Sequence, residues 1–271
     1  MNKKKMLGIP YFIWAAMFIL IPLFMVFYYG LTDKNGAFTL ENIAAMALRG
    51  HARSLWRALY LSFAATLLCL ALAYPLAMIL NSMNIKKHSF IVLIFILPMW
   101  MNFLLRTLAW QTLLEKTGVI NSLLGLLHLP PLRIINTPYA IMLGMVYNFL
   151  PFMVLPVYNS LEKIDRNIIN AAKDLGANGW QVFVKVTLPL SLPGIISGVT
   201  MVFIPALTTF VISKLLGGSK ILLIGNVVEE EFTQTSNWHL GSGLSMVLMV
   251  FILVNMVLSA IFDKKGEGSA L

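Results

Sequence analysis

Histidines, cysteine and carboxylates are the residues here that could bind a metal, attack a substrate or move a proton. Their spacing speaks against all three. His51, His88, His128 and His239 fall in different connections, and none sits at an H-E-x-x-H or comparable ligand spacing. No metal site is expected. Cys69 stands alone in an apolar run, so it cannot close an internal disulfide and reads as a small buried hydrophobe. A G-x-S-x-G nucleophile elbow is lacking. The run GGSK at Gly217–Lys220 has the end of a phosphate loop without the G-x-x-x-x-G-K-[ST] spacing. The chain itself is therefore expected neither to bind nor to hydrolyse ATP, and to carry no cofactor. What remains is electrostatic: Glu115 and the run Glu229, Glu230, Glu231 either attract a cation or pair with a partner, or form a solvated charged loop.

Such sparse chemistry has to be positioned by very apolar elements. Of 271 residues, 59% are hydrophobic and 11% charged, against about 25% charged in a soluble domain; the mean hydropathy is +0.82. This is the composition of an integral membrane protein. The net charge of +9 suits Lys and Arg flanking membrane spans. No basic run interleaved with aromatics suggests nucleic acid. A span needs about 20 apolar residues. Six stretches qualify, roughly 9–30, 57–80, 89–106, 138–158, 193–213 and 243–262, in a single all-α domain over 1–271. The first is too long for the apolar region of a signal peptide and lacks an A-x-A-like site, so it reads as an uncleaved span. The stretch 118–129 is apolar but short, an interfacial or buried external helix.

Lys and Arg are denser in 1–8, 81–88, 159–192 and 263–271 than in the alternate connections. The positive-inside rule then places both termini and the segment 159–192 in the cytoplasm. Pro10, Pro22, Pro75, Pro98, Pro151, Pro156, Pro193 and Pro205 lie in or beside spans, as ordinary curvature or as hinges around a path. Asp, Glu and Lys are missing from span centres, and Arg57 and Arg106 fall at span ends, where they can snorkel. A proton relay inside the membrane is thus not expected, and any energy for transport arrives from outside the chain.

The longest polar interruption is Asn170–Gly194, NAAKDLGANGWQVFVKVTLPLSLPG. Asp165 can cap a helix on which Ile168, Ala171, Ala172 and Leu175 share one face, with Arg166, Asn170, Lys173 and Asp174 pointing elsewhere. Gly176 follows where a left-handed terminus wants glycine, with Ala177 beyond it. Asn178 can cap a second short helix, Gly179 to Val186, with Trp180, Phe183 and Val184 as its apolar stripe, ended by Pro189 and Pro193. The element either lies on the inner leaflet or fits a groove on a partner. The small residues favour docking, because they allow close approach and anchor weakly in lipid.

This segment resembles the cytoplasmic signature loop of bacterial ABC-importer permeases, roughly E-A-A-x-x-x-G, then about ten residues, then L-P. Ala171, Ala172, Gly176, Leu188 and Pro189 match it, and Asn170 stands where the pattern has Glu. AYPLAMIL (73–80), LPMWMNFLLRTLAW (97–110), GVINSLLGLL (118–127), MVYNFLPFMVLPVYNSLEKID (145–165) and LLIGNVVEEEF (222–232) are similar to the spermidine/putrescine branch of that family. The resemblance implies a six-span type I importer fold of the MetI-like kind in the bacterial cytoplasmic membrane. It implies a sister permease, a cytoplasmic ATPase dimer that holds ATP and Mg, and an extracytoplasmic polyamine-binding protein. Ala171, Ala172, Asp174, Gly176, Ala177, Phe183, Leu188 and Pro189 would then couple to the ATPase. A polycation path calls for aromatic faces and amide or hydroxyl oxygens. The spans offer Trp100, Asn102, Tyr147, Asn148, Thr208, Thr209 and Phe210, each more readily read as packing or interhelix hydrogen bonding than as a substrate contact. Another small cargo (an anion, an amino acid or iron) or a non-transporting membrane scaffold are the alternatives.

Overall fold

The structure, a computed structural model, describes residues 9–82, 97 and 99–268. Helix α1 runs through Ile9–Ala15, a π-helical turn Ala16–Leu20 and Ile21–Gly30. A turn carrying the isolated bridge Thr32–Phe38 leads to the short α2, Glu41–Ala44. Then come α3 (Arg49–Ser82), α4 (Phe103–Leu114), α5 (Val119–Leu126), α6 (Pro138–Glu162) and α7 (Arg166–Asp174). Helix α8 is continuous from Gly179 to Thr208, with a π-helical turn at Phe183–Thr187. The chain ends in α9 (Val211–Leu216), α10 (Ile224–Thr233) and α11 (Trp238–Gly268).

Among the described residues, α1, α3, α6, α8 and α11 are long and apolar enough to cross a membrane. The expected third span, 89–106, lies mostly outside the described residues; its described end leaves the helix at Met101–Asn102, and α4 starts afresh at Phe103. The short helix expected at 118–129 is α5.

The core is the trio α3, α6 and α8. Ala58, Ala65, Cys69, Ala73 and Ala77 are buried along one stripe of α3, and small residues let helices approach closely where lipid offers no hydrophobic drive. Helix α8 brings Gly194 and Gly198, a G-x-x-x-G pair, against α6. A Cβ there would lie 2.5 Å from the Pro156 carbonyl oxygen and 2.6 Å from Met153 Sδ respectively. Helix α11 packs on α1 and α8, and α9 fits between α4 and α6.

Pro189 and Pro193 do not end the second loop helix, contrary to the expectation above. Proline collides with the carbonyl four residues back; for Pro189 that is Lys185, inside the π-helical turn. The wider turn accommodates the ring and the helix continues. Pro22 follows the other π-helical turn in the same way. Consequently the fifth span is displaced from 193–213. It enters as an unbroken helix from Gly179 and stops at Thr208, because Thr209 is extended (ψ 136°) and α9 begins at Val211.

Candidate coupling loop and translocation path

Three sets of residues were expected: a coupling loop, a substrate path and an external acidic site. At the start of α8, α7 and the first turns of α8 build themselves from local bonds. Asp165 accepts from Asn167 N at 2.9 Å. Helix α7 closes with Gly176 at φ +86°, Gly176 N donating to Lys173 O (2.9 Å) and Ala177 N to Ala172 O (3.1 Å). This double bond is the glycine-terminated C-cap, and Gly176 carries the left-handed residue without a Cβ penalty. Asn178 and Gln181 then exchange two bonds of 2.9 Å as a capping box.

What this unit lacks is cover. No residue of α7 is buried. Leu175 is 89% exposed and Trp180 71%, and a Cβ on Gly176 or Gly179 would meet nothing within 4 Å. Ala171 and Asp174 are exposed, and Ala172 and Ala177 half-buried. Contact with the bundle begins at Val182, which is buried, and at Phe183. The Phe183 ring meets Trp180 (5.4 Å) and stands edge-on to Tyr74 of α3 (5.7 Å, 80°). Tyr74, which sequence reasoning did not single out, shares a 2.8 Å hydrogen bond with buried Ser191 of α8. Leu188 packs on the core, while Pro189 is exposed.

At the other end of α8 the backbone breaks, and Thr208, Thr209 and Phe210 sit at the break. Thr208 Oγ1 donates to Ile204 O (3.1 Å), Thr209 is buried, and Phe210 is 40% exposed. The break is clamped by Asn226, also not anticipated. Its Nδ2 donates to Phe210 O (3.0 Å), and its Oδ1 accepts from Leu223 N (3.1 Å) and from Ser213 Oγ. The neighbouring Gly225 lies so close to Thr208 O and Thr209 O that a Cβ would be 2.7 and 2.9 Å from them. The signal was present in the polar pair Gly225-Asn226 within an apolar stretch.

The other path candidates divide. Asn102 is a helix cap, accepting from Leu104 N (2.8 Å) and Leu105 N (3.3 Å). Trp100 is 77% exposed. Tyr147 meets Trp110 edge-on at 5.3 Å. Asn148 is buried; its Nδ2 donates to Gly144 O (2.9 Å) while its Oδ1 has no hydrogen-bond partner. The acids do not converge. Glu229 pairs with Lys214 (3.2 Å), and Glu231 accepts from Thr235 Oγ1 (2.7 Å). Glu230 takes no side-chain partner among the described residues, and Glu115 is exposed at the end of α4. Among the described residues no group of three or more His, Cys, Asp or Glu could hold a metal.

Arg106 overturns an expectation. Read as a snorkelling residue at a span end, it is buried, and its Nε has no hydrogen-bond partner.

The fold is a packed bundle of helices long and apolar enough to cross a membrane, with an uncovered, self-capped loop at the start of α8. The chain belongs to the family of binding-protein-dependent transport system inner membrane components, whose model matches residues 6–265. It is similar to the spermidine/putrescine transport system permease protein PotB of Haemophilus influenzae, 36% identical, covering 94% of each chain. PotB of Escherichia coli K12 is 35% identical, covering 94% of this chain and 97% of that one. In fold it matches a bacterial ABC transporter involved in the import of the acidic polysaccharide alginate, with a TM-score of 0.81 at 17% identity over 96% of this chain and 94% of that one. An inward-facing MetNI methionine ABC transporter matches at 0.56, with 18% identity over 79% and 95%. Membership implies a separate binding protein and a separate ATPase, and it places the chain in the inner membrane.

Proposed function

We propose that this chain is one permease subunit of an ATP-driven importer of spermidine or putrescine. The observation that carries this is its likeness to polyamine permeases along 94% of its length. A second permease chain completes the pore, a cytoplasmic ATPase dimer holds ATP and Mg, and an extracytoplasmic polyamine-binding protein delivers the cargo. Both termini face the cytoplasm. ATP closes the ATPases and α7 with the start of α8 carries that movement into the bundle. The path then alternates between outward and inward access. The exposure of Leu175 and Trp180 on an otherwise polar loop supports docking there, because large apolar side chains left uncovered mark an interaction surface.

Uptake of labelled spermidine tests the proposal. Cells without their own polyamine uptake would carry the complete set of subunits, with a control lacking this chain alone. The expected result is uptake that the control loses and that excess putrescine, but not phosphate or glutamate, suppresses. An assembled complex that hydrolyses ATP yet takes up no polyamine would overturn the cargo assignment.

A further inference from the structure

Arg106 is held near the middle of the membrane, and among the described residues no carboxylate neutralises it. Its depth follows from α6. The apolar run 138–158 is centred on Asn148, and the residues either side of that centre meet α4. Phe149 stacks on Phe103 at 6.4 Å, and Tyr147 meets Trp110 at 5.3 Å. Phe103, Arg106 and Trp110 are spaced i, i+3, i+7 and share one face of α4. Arg106 therefore sits beside the centre of α6, about 15 Å from either headgroup layer, beyond the reach of a snorkelling side chain.

The guanidinium has five N–H donors and is always charged. It is 7% exposed, its Nε is unpaired, and among the described residues no carboxylate forms an ion pair with it. The sequence offers no candidate elsewhere. All 11 Asp and Glu residues lie in connections between spans, at span ends or in the C-terminal tail. An unpaired charge in the membrane interior is expensive, and such residues pair with one another or mark a pathway. One flank of Arg106 on α4 is open, where Asn102, Leu105 (60%) and Ala109 are exposed; Leu104 and Leu108, on the far side of the helix, are exposed too.

We propose that Arg106 receives a carboxylate from the second permease chain, so that α4 forms part of the permease–permease interface and the ion pair closes at the membrane midplane. The inference rests on the reading that a second permease completes the pore. Charge identifies the occupant. A polyamine would be repelled by Arg106, and lipid phosphates lie at the wrong depth. A carboxylate on a facing helix supplies the missing charge and two acceptor oxygens for the guanidinium fork. Burying the pair also gives the two subunits a register.

The test uses the full complex, purified through a tag on the second permease. Arg106→Met removes a charge that pairs with no carboxylate among the described residues, so this subunit should reach the membrane in normal amounts. The variant strands the partner's carboxylate, so its recovery with the second permease should fall by roughly 100-fold. Neutralising one intramembrane Asp or Glu of the second permease should restore recovery, and Arg106→Lys should retain part of it. Unchanged recovery and uptake in Arg106→Met would overturn the proposal, as would a loss that no neutralisation in the partner restores. Recovery does not depend on cargo, so it judges the ion pair even where spermidine uptake fails. Intact recovery with uptake suppressed by an anion would instead assign Arg106 to an anionic cargo, and would also count against the pair.

Discussion

The two ends of α8 are built on opposite plans. The start is capped by its neighbours in sequence: among the described residues every hydrogen bond that shapes 165–181 spans five residues or fewer, and the large apolar side chains there face outward. The far end is held by distant residues: Asn226 reaches across 16 positions to Phe210. A unit folded by local bonds keeps its shape whether or not it is docked, whereas a backbone break inside a bundle must be satisfied by the bundle itself. The first plan suits a surface that meets a separate subunit, and the second suits a backbone break held within the bundle.

The largest effect should come from breaking the second plan. Asn226→Ala would strand Leu223 N in a buried setting and delete the bonds to Phe210 O and Ser213 Oγ, which keep each other as partners, with Lys214 N also donating to Phe210 O. The stranded amide costs about 1–3 kcal/mol and each of the other two lost bonds about 0.5–1.5 kcal/mol, so a total of roughly 2–5 kcal/mol is expected, read as a marked drop in the melting temperature of the purified complex. An unchanged melting temperature would mean that the break is not clamped in this way. Gly176→Leu addresses the other end. It forces a side chain into a left-handed conformation at a cost of about 1–2 kcal/mol, with empty space around it in this chain. Because α7 contributes nothing to the core, the melting temperature of the bundle should scarcely move. Uptake per ATP hydrolysed should fall at least several-fold. Normal uptake at normal expression would refute the loop as the coupling element.

The difference between the two plans also decided what could be seen in the sequence. Local devices are legible: Asp165, Gly176 and Asn178 announced their caps by type and spacing, and all three make the expected bonds. Apolar length announced α1, α3, α6 and α11 in the same way. Tertiary devices were not legible. That Asn102 caps α4 and that Asn148 Nδ2 bonds within its own helix could not be read from their types. The run Glu229–Glu231 looked like one acidic site, but helical geometry turns successive residues about 100° apart, and their partners differ. Arg106 looked peripheral because it closes an apolar run, and the break at Asn102 turns that end inward. Pro189 was misplaced for a related reason: the penalty of proline is known from sequence, but the π-helical turn that relieves it is not.

The smallest expected effect lies where the two plans meet. If the loop is the coupling element, movement entering it reaches α8 through Val182 and Phe183, which touch the bundle on that side, as Ile164 does on the α6 side. Phe183 presses on Tyr74, and Tyr74 bonds Ser191 one helix away. Tyr74→Phe keeps the ring and deletes that bond. Ser191 still donates to Leu188 O at 3.0 Å, so no polar group is stranded and the cost should be about 1 kcal/mol. Ser191→Ala removes the same interaction from the other side, so combining the two should cost little more than either alone. If the contact transmits movement, both variants should lower uptake per ATP by a few-fold while ATP hydrolysis persists. If it merely packs, uptake and hydrolysis should decline together, and the cytoplasmic loop would then act on α8 without engaging α3.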